Sequence, residues 1–174
     1  IFSVSDVLFD ALQERLKLFV LMLRHPIWLI EVWYNLDWYG RIGKDSREFQ
    51  LCIENREYTV PWFAYGWEKE YYRLSPLEQA IRVIESISRR EEQKFIQLSD
   101  EDRGKCLLIP YEQFVVNPQK YLDEVKDKLH TKETKLTERI MEEFNLPRKL
   151  EVGYIDRKKE EFDKLLKKEN VSMG

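Results

Sequence analysis

Two short apolar runs stand out along the chain. Residues Leu18 to Leu23 read LFVLML, and Lys105 to Ile109 read KCLLI. Runs of this length between polar residues suit strands buried on both faces, as in a parallel sheet. Elsewhere the apolar positions recur at helical spacing. Ser3 or Ser5 can cap a first helix with Val4, Leu8, Ala11, Leu12 and Leu16 on one stripe. A second helix is predicted from Pro26 to about Tyr39, with Gly40 as its stop. Ser75-Pro76-Leu77-Glu78 is a helix start, with Ser at the cap, Pro at the first position and Glu at the third. Leu77, Ala80, Ile81, Ile84, Ile87 and Ile96 then mark a long amphipathic helix to about Leu98. Asn117-Pro118 opens a further helix with Tyr121, Leu122, Val125 and Leu129 on one face. Helices around Thr137 to Phe144 and Ile155 to Lys168 complete the pattern, the last turning Phe162, Leu165 and Leu166 inward. The segment from Arg41 to Arg73 shows no clear period and reads as irregular structure with a short helix.

Two strands among several helices predict an α/β fold with a parallel sheet flanked by helices. Two strands make a small sheet, so part of it is expected to lie upstream of Ile1. The chain is read as one domain over residues 1–174, the C-terminal portion of that fold.

The strand-to-helix junction carries the first candidate chemistry. Arg24 follows the first apolar run directly, and Pro26 sits where a helix can begin without losing a needed donor. In open α/β sheets, ligands bind at the carboxyl ends of strands. Backbone donors and the helix dipole favour an anion there, and a guanidinium can grip phosphate with two hydrogen bonds. The competing reading is an arginine that only pairs with a surface carboxylate.

Composition narrows the choices. The 174 residues suffice for one domain with a real core. Hydrophobic residues make up 43% and charged residues 35%, a globular balance. A net charge of -3 gives no whole-chain argument for nucleic acid. Cys52 and Cys106 are too few for a disulfide framework and read as buried thiols in a reducing compartment. His25 and His130 form no pair at metal-ligand spacing with each other or with a cysteine, so no metal is expected. No segment is long and apolar enough to span a bilayer, and a secretory pattern is missing, which points to the cytoplasm.

The motifs taken in order resemble the sulfotransferase family. The strand ending Arg24-His25-Pro26, followed by a helix with Trp33-Tyr34, looks like that family's 3′-phosphate-binding segment. KCLLIPYEQFVVNPQKYLDEV, Lys105 to Val125, is similar to the family's second strand, its Tyr-Glu turn and the helix opened by an x-Pro pair. The two matches and their separation span roughly Leu8 to Leu129.

The resemblance implies a P-loop nucleotide-kinase-like fold and 3′-phosphoadenosine 5′-phosphosulfate (PAPS) as co-substrate. A sulfuryl group would pass in line from PAPS to a hydroxyl or amine on a small-molecule or carbohydrate acceptor, with positioning and cationic donors doing most of the work. Arg24 matches the arginine that holds the 3′-phosphate, and Tyr111 the tyrosine near the adenine. Arg148-Lys149 resembles a late basic pair that also contacts the 3′-phosphate, although Leu150 stands where the family has glycine. Val32, eight residues after Arg24, stands where the family has serine. The lost hydroxyl donor is worth about 1.5–3 kcal/mol. The 5′-phosphosulfate loop and the catalytic base are expected upstream of Ile1. Gly40 to Ser46 has the wrong spacing for such a loop and reads as a helix stop and turn. The alternative is a sulfotransferase-like domain without catalysis, acting as a binding or scaffold module. The aromatic group Trp62, Phe63, Tyr65, Trp67, Tyr71 and Tyr72 reads as core in preference to an acceptor wall.

Overall fold

Ser75 shows how local chemistry sets an element. Its backbone N–H and its hydroxyl both donate to the Glu78 carboxylate, at 2.8 and 2.7 Å, and its carbonyl accepts the Gln79 N–H. Those bonds open the longest helix of the computed structural model, which describes residues 5–37, 41, 51–54, 56–149 and 154–172. The elements in order are α1 (Ser5–Leu12), β1 (Phe19–Leu23), α2 (Pro26–Asn35), β2 (Cys52–Glu54), β3 (Thr59–Pro61), α3 (Glu68–Arg73), α4 (Pro76–Gln97), α5 (Asp100–Gly104), β4 (Cys106–Pro110), α6 (Tyr111–Phe114), α7 (Pro118–Leu129), α8 (Lys135–Glu143) and α9 (Tyr154–Lys168). The class is mixed α/β, mostly helical, with a small parallel sheet flanked by helices.

The chain divides into two compact units. The first comprises residues 1–25 and 91–154, the second residues 26–90 and 155–174. In the first, β1 and β4 pair in parallel, from Phe19 opposite Cys106 to Leu23 opposite Pro110. Leu107 and Ile109 are buried with Tyr121 of α7, and Leu18, Phe114 and Val125 pack around them. Phe9 of α1 packs against Phe19, the two rings tilted by 50° with centroids 5.8 Å apart. In the second unit, Ile30, Leu77, Ala80, Ile84 and Phe162 form one core cluster. Val60, Phe63, Ala64, Tyr71 and Val83 form another. Each fully buried Val, Leu, Ile or Phe among them contributes about 1.5–3 kcal/mol of transfer free energy.

Several expectations change. β1 is not buried on both faces: Val20, Met22 and Leu23 are all more than 40% exposed. Among the described residues β1 has only β4 as a hydrogen-bonded neighbour, so it lacks the second flank that would cover it. The α1 stripe is led by Phe9, while Leu8 and Leu12 face out, because Phe19 lies opposite Phe9. Val83 joins the buried face of α4 and Ile96 leaves it. Residues 51–73 hold an antiparallel pair, β2 with β3, that the sequence pattern does not announce. The aromatic group there splits. Phe63 and Tyr71 are buried, whereas Trp62, Tyr65 and Tyr72 are exposed. Cys52 is exposed and Cys106 half-buried, so neither is the buried thiol expected, and neither forms a disulfide. The Gly40 to Ser46 turn, Arg41 apart, lies outside the described residues, as do residues 38 and 39 of the second predicted helix. No described helix is long and apolar enough to cross a membrane.

Candidate functional site

The parallel register fixes this site. Leu23 lies opposite Pro110, so β1 and β4 end at the same level, and the next residues, Arg24 and Tyr111, emerge side by side. The Arg24 guanidinium carbon lies 5.0 Å from the centroid of the Tyr111 ring. Such a cation–π contact is worth about 0.5–1 kcal/mol at an exposed position. It keeps the guanidinium over the ring and leaves most of its donors available.

Glu112 completes the group. Both of its carboxylate oxygens accept from the His25 backbone N–H, at 3.3 Å each. Oε1 also lies 3.8 Å from Arg24 Nε, an ion pair too long for a hydrogen bond. The Arg24 side chain stays 41% exposed and that of Glu112 only 18%. Thus the donor at the strand end, expected to serve an incoming anion, is engaged by the protein's own carboxylate. Glu112 adjoins Tyr111 in the same short motif, and that adjacency was the available clue to it.

Arg148 follows α8 on the loop that returns to this region. Its backbone N–H donates to Val115 O at 2.6 Å. Arg148 and Tyr111 line one groove of about 430 Å³. Lys149, the next residue, is exposed. Three of the four candidate residues therefore share a neighbourhood through Tyr111: Arg24 by the cation–π contact, Arg148 by the groove. Val32 lies exposed on α2 and offers no hydroxyl.

A second hollow, of about 370 Å³, is lined by Asp10, Gln13, Glu14, Glu101, Asp102 and Lys105 together with Phe9. Lys105 is bound there by Glu101 at 2.9 Å and Asp102 at 3.3 Å. Hydrogen bonds to those carboxylates, Glu101 foremost, raise its pKa above the ordinary lysine value, against the opposing effect of burial. Its acidic lining disfavours phosphate. Among the described residues no group of His, Cys, Asp and Glu is arranged to hold a metal ion.

No protein-family model, curated protein or solved structure matches this chain. The site is therefore read from its own chemistry.

Proposed function

We propose that the chain is a PAPS-dependent sulfotransferase domain with a P-loop nucleotide-kinase-like fold, in which Arg24 grips the 3′-phosphate and Tyr111 lies beside the adenine. One observation carries this reading: the arginine of the first motif lies over the ring of the tyrosine of the second, at the common carboxyl end of two parallel strands. That is where an open α/β sheet receives a nucleotide. Arg24 turns an exposed, largely uncommitted guanidinium to solvent, and a phosphate can take two of its N–H groups. Arg148 and Lys149 add cationic charge on the loop bordering Tyr111. PAPS supplies the activated sulfuryl group. What this chain's residues contribute is binding and orientation of the 3′-phosphoadenosine end.

Calorimetry with adenosine 3′,5′-bisphosphate tests the reading. Arg24→Ala should weaken binding at least about tenfold, the loss of a charge-assisted hydrogen bond. Adenosine 5′-monophosphate, which lacks the 3′-phosphate, should bind wild type and variant alike. Unchanged affinity for the bisphosphate would remove Arg24 from the site.

A second reading is a domain of this kind that binds without catalysing. The engagement of Glu112 with His25 and Arg24 favours it, because an incoming phosphate meets a carboxylate already in place. Val32 in the serine position favours it too. Bisphosphate binding with no sulfuryl transfer from PAPS to phenolic or sugar acceptors would select this second reading.

A further inference from the structure

The groove beside Tyr111 has a composition of its own. Its walls are Phe114, Leu122, Leu136, Ile140, Met141 and Phe144, drawn from α6, α7 and α8. Three of these large apolar side chains remain open to solvent: Leu136 at 51%, Ile140 at 42% and Phe144 at 57%. They recur every fourth residue along α8 and its C-terminal cap, Phe144, and so form one continuous stripe. Met141 adds an adaptable thioether. Among the described residues lining the groove, Arg148 alone is charged. No described carboxylate pairs with its guanidinium.

The walls are tied together by backbone bonds. Leu146 N–H donates to Met141 O at 2.8 Å, closing the end of α8. Arg148 N–H donates to Val115 O at 2.6 Å, joining the loop to the end of α6. Thr134 N–H donates to the Thr137 hydroxyl at 3.3 Å at the start of α8. The groove is thus formed before any ligand arrives, and its volume of about 430 Å³ falls in the range of small-ligand sites.

We propose that this groove binds a small amphiphile with a single anionic head, its apolar body lying along the Leu136, Ile140 and Phe144 stripe and its head facing Arg148. Charge complementarity selects the occupant. An uncharged apolar molecule would leave the arginine without a partner, and a polyanion would find only one cation in the lining. The groove shares Tyr111 and Arg148 with the nucleotide reading, but the inference is carried by its apolar stripe and does not depend on that reading.

Titration calorimetry with laurate, below its micelle-forming concentration, tests it on the whole chain. Wild type should bind one laurate per chain. Ile140→Asp places a carboxylate in the apolar stripe at a position 42% exposed, where the fold should be retained, as circular dichroism checks. It should weaken laurate at least tenfold. Arg148→Ala should weaken laurate several-fold and leave dodecanol, which has no charge, unchanged. Arg24→Ala should leave laurate unchanged, which separates this site from the nucleotide reading. No binding of laurate, equal binding by wild type and Ile140→Asp, or equal losses for laurate and dodecanol in Arg148→Ala would each overturn the proposal. So would binding confined to intact phosphatidylglycerol vesicles.

Discussion

Glu112 stands between a backbone amide and a guanidinium, and the two partners are unequal. The His25 N–H is part-buried and donates to both carboxylate oxygens. The Arg24 side chain is 41% exposed and 3.8 Å away. Leaving a part-buried donor unmet costs about 1–3 kcal/mol, whereas an exposed ion pair is worth about 0–1 kcal/mol. Glu112→Ala should therefore lower stability by about 1–2 kcal/mol. Arg24→Ala should lower it by less than about 1 kcal/mol. Urea unfolding of the two variants checks the order, and an equal or larger loss for Arg24→Ala would contradict it. This contrast makes Arg24 suited to binding: its removal is expected to cost little in folding. In the sequence, Arg24 was visible as a candidate because it follows an apolar run and precedes a proline. Its contact with the Tyr111 ring was not, since 87 residues separate the two positions.

At the scale of elements, the start of α4 is governed by Ser75 and Glu78. Hydrogen bonds from the Ser75 hydroxyl and N–H hold the Glu78 carboxyl below its ordinary value of 4.5. A carboxyl depressed in the folded state stabilises the protein at pH above its unfolded value, and that gain is lost as pH falls through the folded value. Lowering the pH below 4.5 should therefore destabilise wild type more steeply than Glu78→Gln, as thermal midpoints across pH 3–7 would record. Ser75→Ala should cost about 1 kcal/mol at neutral pH. Further along α4, Leu77 is wholly buried, and Leu77→Ala should cost about 2–5 kcal/mol in denaturant unfolding. These helix signals were legible because caps and apolar spacing act within one turn. The β2–β3 pair was not legible. Each of its strands has three residues, too few to establish an alternation, and the pairing of Cys52 with Pro61 is decided across a loop.

At the scale of the molecule, the C-terminal helix belongs to a core assembled from distant chain. Phe162 of α9 is 6% exposed and packs with Ile30, Leu77, Ala80 and Ile84. Lys158 of the same helix forms ion pairs with Glu31 and Glu161. Phe162→Ala should thus cost about 3–5 kcal/mol. Removing residues 155–174 should raise amide exchange across α2 and the first turns of α4 more than across β4 and α7, which lie in the other unit. Equal rises in both, measured by mass spectrometry, would argue that the units do not unfold separately.

Charge, helix starts, the inward face of α9 and the two main strands follow from the amino-acid sequence by itself. They depend on interactions between residues a few positions apart, which the order of residues specifies directly. The tertiary structure decided which side of α1 is buried, how far β1 stays exposed, and that Glu112 meets Arg24 and His25. It also brought Arg24 against Tyr111 and opened the groove along α8. These depend on what lies opposite each residue in space. A helical stripe or an apolar strand constrains that choice without making it, because adjacent positions on one element are nearly equivalent until a partner such as Phe19 or β4 packs against them.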